Sequence, residues 1–261
     1  MVRATKMTGD HESDQFTLIE HLIELRGRLL KSAAAVLVAA IALAPFARTL
    51  YSALAEPLLQ ALPQGSSMIA TGVAAPFLAP FKFALVLAVF VAMPVVIYQV
   101  WAFVAPGLYR REQALARPIL FSSVFLFYAG AAFAYFAVFP LVFGFLTAAA
   151  PPGVTVMTDI SSYLDFVLAM FFAFGLAFEV PVVTLVLIIG GFTTRARLRR
   201  MRPYLIVGAF VIGMLLTPPD VISQVMLAVP MWLLFELGLG LSVLLERRRA
   251  SDVPGATDRG R

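Results

Sequence analysis

The chain has 261 residues, 61% of them hydrophobic and 13% charged, with a net charge of +5. A soluble domain carries roughly a quarter charged residues, so this surface is not built for water and the chain reads as an integral membrane protein. In that setting basic residues mark membrane-flanking loops rather than a nucleic-acid site, and the lack of cysteine excludes disulfides and thiolate metal centres.

Residues 1–15 are polar and mixed in charge; they are expected to be disordered, with no cleavable signal peptide. Residues 16–246 form the transmembrane domain, and 247–261 a second disordered tail. The domain opens on a helix. Phe16, Ile19, Leu22, Ile23, Leu25, Leu29 and Leu30 line one side at helical spacing, while Glu20, Glu24, Arg28 and Lys31 line the other. Thr17 and Glu20 fit a capping box that would start it, and such a helix would lie along the membrane surface before the first span.

That span runs from about Leu29 to Leu50, with Pro45 predicting a kink. Residues 51–76, broken by Pro57, Pro63, Gly65, Gly72 and Pro76, read as an ordered loop with short helices. A second span covers Phe77 to Phe103, and a third begins at Pro118, a good first-turn residue, and runs to Thr147. The fourth, Leu164 to Ile189, contains Glu179-Val180-Pro181. The fifth, Tyr204 to Leu216, reaches only about 20 Å at ~1.5 Å per residue, short of a ~30 Å hydrocarbon core. After the turn Thr217-Pro218-Pro219-Asp220 a sixth span starts at Val221.

The fold class is therefore an all-α membrane protein with six transmembrane helices. Six spans place both termini on one side. Arg110, Arg111, Arg117, the arginines of 195–202 and those of the tail all fall there, whereas only Arg48 and Lys82 fall opposite, so the positive-inside rule makes both termini cytoplasmic. No internal repeat is evident, against the inverted-repeat transporters.

Enzyme readings fail on inventory. His11 and His21 both precede the first span, and no zinc-protease helix motif, phosphate-binding glycine loop or nucleophile elbow is present. No metal or cofactor site is expected. The carboxylates are then the informative residues. Glu24 is either a solvated pair with Arg28 or a binding group. Glu112, after Arg110-Arg111, is either a neutralised loop acid or a second binding group. Glu179 lies inside a span, where an ionised carboxylate costs roughly 2.5–3.5 kcal/mol, so a functional role or a neutral interhelical hydrogen bond is expected. Glu236, near the inner end of the last span, is expected to snorkel to the interface; Trp101 and Phe103 read as interfacial belt residues. An intramembrane Glu179 would also suit a proton-coupled small-solute transporter, the alternative from another class.

Several ordered stretches stand out: His21-Leu-Ile-Glu-Leu-Arg26, Tyr98-Gln-Val-Trp-Ala-Phe-Val-Ala-Pro-Gly-Leu-Tyr109 with Glu112, Phe133-Ala-Tyr-Phe136, Phe174-Gly-Leu-Ala-Phe-Glu-Val-Pro181, and Arg202-Pro-Tyr204 leading to Thr217-Pro-Pro-Asp220. Together they resemble the TatC family, the polytopic receptor of the twin-arginine protein translocase. The resemblance covers about residues 16–245. It implies a concave, glove-like arrangement of the six spans in a bacterial inner membrane, and recognition of Arg-Arg signal peptides of folded precursor proteins on the cytoplasmic face. It assigns signal-peptide contacts to Glu24 and Glu112, with Arg26 and Phe103 at the same site, and an intramembrane polar role on the concave face to Glu179. It assigns docking of TatA- and TatB-type single-span proteins to Met214, Thr217 and Gln224, shaping of the far-side cap to Pro57 and Asp220, and self-association within a receptor complex. One departure stands out: many relatives carry an acid just before the Phe77 position, where this chain has Gly72-Val-Ala-Ala-Pro76.

Overall fold

The structure is a computed structural model that describes residues 7–61, 67–104, 116–149, 151, 157–216 and 221–251. In chain order its helices are α1 (Met7–Leu43), α2 (Ala47–Ala61), α3 (Ala75–Val104), α4 (Ala116–Phe133), α5 (Phe139–Ala148), α6 (Ile160–Ala177), α7 (Val180–Ile189), α8 (Arg195–Arg200), α9 (Arg202–Leu216) and α10 (Val221–Ser251). Among the described residues the sole β feature is an isolated parallel bridge between Ile69 and Asp159.

Prolines set the breaks. Pro45 opens the 3-10 turn Ala44–Phe46 that separates α1 from α2. Between α4 and α5 the backbone widens into a π turn, Ala134–Val138, just before Pro140. A proline has no N–H and its ring crowds the carbonyl four residues earlier; the wider turn relieves both problems. The fourth span divides for the same reason. Pro181 ends α6 at Ala177, and the chain steps through Phe178 and Glu179 before α7 restarts at Val180. By contrast α3 carries Pro80 and Pro94 without a break.

Among the described residues, five helical stretches are long and apolar enough to cross a membrane: 20–56, 75–103, 117–148, 160–189 and 224–243. The apolar stretch of α9, 202–214, is shorter, as the sequence predicts. One expectation needs correction: α1 starts at Met7 and runs unbroken through Thr17 into the first span, so there is no capped, separate surface helix. Helix is described from Met7 at one end and through Ser251 at the other. Once a helix is nucleated, each added residue costs little, so polar extensions of a long span stay helical.

The core is centred on α6. Leu164, Val167, Met170 and Phe174 are fully buried in one cluster with Phe139 and Val142 of α5 and Leu227 of α10. Close approach depends on glycine: a Cβ on Gly130 would collide with the backbone oxygen of Phe174, and one on Gly238 would lie 2.8 Å from Cα of Pro181. Small residues allow such backbone contact where lipid tails supply no hydrophobic drive between helices. α1 packs principally on α3, and α9 principally on α10, so each forms a flank beside the α6 centre. Gly130→Ala is expected to destabilise the protein by roughly 1–3 kcal/mol by forcing α4 from α6. Gly144→Ala, whose Cβ meets nothing within 4 Å, is the matched control and is expected to be neutral. Equal melting temperatures for the two variants in detergent would contradict this packing.

Candidate functional site

The end of the bundle that carries α1's polar turns holds the first polar cluster. Glu24 lies on α1, one turn before Arg28, and the two form the i,i+4 pair that their spacing allows: Arg28 Nε and one terminal nitrogen both donate to Oε1 of Glu24, at 2.9 and 2.6 Å. The other terminal nitrogen reaches Oε1 of Gln99 on α3 at 3.5 Å. One turn toward the N-terminus the His21 ring stacks on Phe103, centroids 4.2 Å apart. These contacts dock the polar part of α1 on the end of α3. Arg26 is exposed and Phe103 half-buried. Glu112 lies outside the described residues, so its position relative to Glu24 is an expectation from the resemblance alone.

The second cluster is inside the spans. The break forced by Pro181 leaves Glu179 between α6 and α7, half-buried, with the Ser123 side chain of α4 beside its carboxyl. Oε1 of Glu179 is buried and has no hydrogen-bond partner among the described residues. Ser123 is itself fully buried and accepts a hydrogen bond from the Trp101 indole at 3.0 Å. Trp101 is thus tied into the bundle between α3 and α4 instead of serving as a free interfacial anchor. Trp101 of α3, Ser123 of α4 and Glu179 of the α6–α7 break sit together as one polar patch inside the spans.

The α9–α10 hairpin is the third. Met214 is exposed, and Gln224 packs beside Gly213, so the ends of the two helices meet. Thr217 and Asp220 fall outside the described residues. Glu236, partway along α10, accepts a 2.5 Å bond from Arg202 at the start of α9, tying the two helices together. Arg202 and Glu236 lie at nearly equal chain distances from the turn at 217–220, a signal that an antiparallel hairpin puts them level. An apolar cavity of about 410 Å³ opens between α2, α3, α4 and α6, lined by Leu54, Phe83, Phe90, Tyr128, Tyr135 and Phe171 among others.

The family model described as Sec-independent protein translocase protein (TatC) matches residues 20–230. A TatC protein of Azotobacter chroococcum is 57% identical over 97% of this chain and 98% of its own length. One from Escherichia coli K12 is 56% identical over 88% and 89% respectively. A crystal structure of a twin arginine translocase receptor, TatC, 38% identical, superposes with a TM-score of 0.78 over 87% of this chain and all of that one.

The chain belongs to the TatC family.

As a TatC-family member it is a component of the Sec-independent protein translocase, a multi-pass membrane protein that transports rather than catalyses. Among the described residues no group of histidine and carboxylate side chains could hold a metal ion. Pro57 lies within α2, the helix that closes the end opposite Glu24. There the TatC fold is held by polar contacts that the sequence did not single out. Tyr163 donates to the Leu54 carbonyl at 2.7 Å, Tyr135 to that of Ala53 at 3.3 Å, and Tyr51 to that of Ile160 at 3.2 Å. Lys82 pairs with Asp165 on the exposed rim between α3 and α6. Asp159 caps α6 through the amides of Ser161 and Ser162, both at 3.0 Å, and accepts from the amide and hydroxyl of Thr71 at 2.9 and 2.8 Å.

The Thr71 amide, then the Ser162 amide and the Thr71 hydroxyl, hold the Asp159 carboxyl well below the usual carboxylate range. With the folded-state value depressed, the stabilisation is complete above the unfolded-state value of about 3.9 and is lost as pH falls below it. The melting-temperature gap between the parent and Asp159→Ala is expected to be widest near neutrality and to narrow from about pH 4 downward. A gap that holds constant or widens in acid would contradict the assignment.

Proposed function

We propose that the protein is the signal-peptide receptor of the twin-arginine translocase, binding Arg-Arg signals of folded precursors at the cytoplasmic face of a bacterial inner membrane. The observation that carries the reading is the state of Glu24. Its carboxylate is 41% exposed at the end of the bundle and already accepts two N–H bonds from a guanidinium. A group arranged to bind one guanidinium can bind another. Arginine stays charged at any cellular pH and offers several donors in a fixed plane, whereas lysine offers a point charge, which suits a twin-arginine requirement over a generic basic one.

Two adjacent arginines call for a second acid. Glu112, in the loop between α3 and α4, is the residue that the family resemblance supplies for it. Arg26 and Phe103 border the same site, Phe103 through its stack on His21. A half-exposed ion pair contributes modestly, so the apolar stretch of the signal adds affinity along the apolar cavity walls of α2, α3, α4 and α6. Glu179, in the break between α6 and α7, supplies a separate polar point on the concave face that the family resemblance implies. TatA- and TatB-type single-span partners dock on α9, where Tyr204, Val207, Val211 and Met214 leave an apolar face exposed, with Thr217 and Gln224 at its end. Pro57 and Asp220 shape the opposite cap, and copies of the receptor self-associate. The likeness to a solved twin arginine translocase receptor supports this reading.

Glu24→Gln and Glu112→Gln are each expected to weaken binding of an Arg-Arg peptide by about tenfold or more, the usual scale for a hydrogen bond to a charged group. The check is titration of a fluorescent signal peptide into nanodisc-embedded protein. An unchanged Kd in the double variant would overturn the proposal.

A further inference from the structure

The Glu24 carboxylate is occupied in the unliganded chain, and its occupant has somewhere else to go. Arg28 gives Nε and one terminal nitrogen to the same oxygen of Glu24, while its remaining terminal nitrogen points at Oε1 of Gln99, 3.5 Å away on α3. That last distance sits at the outer limit of a hydrogen bond; shortening by about 0.5 Å would make it an ordinary one. Arg28 is the less exposed partner, at 23% against 41%, so the open side of the pair belongs to Glu24. The backbone at Arg28 is fixed by its helix, and Ser32 Oγ donates back to the Arg28 carbonyl at 3.1 Å. Only the side chain can swing, and both of its acceptors lie within its reach.

We propose that Arg28 is an exchangeable guanidinium: it holds the Glu24 carboxylate in a ligand-like arrangement until a peptide arginine takes its place, and is then handed across to Gln99. The inference rests on Glu24 being a peptide-arginine contact. Its physical content is that a guanidinium replaces a guanidinium at the carboxylate, so Glu24 stays paired throughout, while Arg28 exchanges a carboxylate partner for the neutral amide oxygen of Gln99 and keeps its exposure to water. The pair that breaks is an i,i+4 contact at a half-exposed site, one of the weaker ion pairs in proteins. The pair that forms on the other side ties α1 to α3, so arrival of the ligand tightens the joint between these two helices. Arg28 and Gln99 are positioning residues that set affinity without touching the ligand.

The test is a double-mutant cycle on binding of a synthetic Arg-Arg signal peptide to the full chain in nanodiscs. Arg28→Gln is expected to tighten binding about twofold, because the internal competitor is gone. Gln99→Leu is expected to weaken it by a similar factor, since Arg28 loses its second acceptor, and Gln99→Glu to strengthen it. Both Gln99 effects are expected to vanish in the Arg28→Gln background. If Gln99→Glu still strengthens binding there, its carboxylate attracts the peptide directly and the hand-over is wrong. Weaker binding by Arg28→Gln alone overturns the proposal too. Glu24→Gln is run alongside: if it leaves Kd unchanged, the underlying receptor reading fails, whereas loss of binding in that variant with an additive cycle sinks the exchange only.

Discussion

A hydrocarbon slab offers no water to a polar atom, so every polar group near it needs a partner supplied by the protein. The chain is sparing with such groups and uses them in small sets. Glu24, Arg28 and Gln99 form one at the end of α1 and α3. Trp101, Ser123 and Glu179 form another inside the spans. Arg202 and Glu236 tie α9 to α10. Each set joins two or three helices, and each places a carboxylate where its availability is governed by a neighbour. The partner held by Glu24 is the feature on which the receptor role turns. It is a carboxylate at the bundle's end, engaged by a local i,i+4 guanidinium and open on one side, and under the proposed function that open side receives an arginine from elsewhere.

The remainder of the fold serves to keep these sets in register. α6 sits at the centre with its apolar face fully buried, and glycines at 130, 175 and 238 let neighbouring helices come to close contact. Tyrosine hydroxyls on the carbonyls of Ala53, Leu54 and Ile160 fasten α2 to that centre, and Asp159 fastens the 69–71 segment to the start of α6. The end opposite Glu24 is thus held by many directional bonds. The flanks are not: α1 leans on α3, and α9 on α10.

Much of the architecture was legible in the sequence because hydropathy and proline act locally. Apolar runs of spanning length located the helices, Pro45 its kink, and the thirteen-residue Tyr204–Leu216 run the short helix. The Glu24–Arg28 contact was legible for the same reason, being four residues apart on one helix. What periodicity could not supply was partnership across helices. Gln99 is 71 residues from Arg28 and carries no mark that distinguishes it from any other polar residue near a span end. Trp101 looked like an interfacial anchor because aromatic belts are common, yet its indole is turned inward to Ser123. Glu236 looked like a lone acid near an interface; only the hairpin geometry brings it level with Arg202. The expected break before the first span failed because Thr17 and Glu20 describe a helix start but do not forbid a helix that is already running.

With Glu24 as the arginine contact, one end of the bundle meets the peptide and the other does not, and photo-crosslinking tests that directly. A benzoylphenylalanine placed at Leu25, exposed beside Glu24, should capture an Arg-Arg signal peptide added to nanodiscs open on both faces. The same group at Val73, fully exposed near Thr71 and Asp159 at the opposite end, should not. Capture at position 73 with none at position 25 would place the arginine site on the wrong end and contradict the receptor role of Glu24.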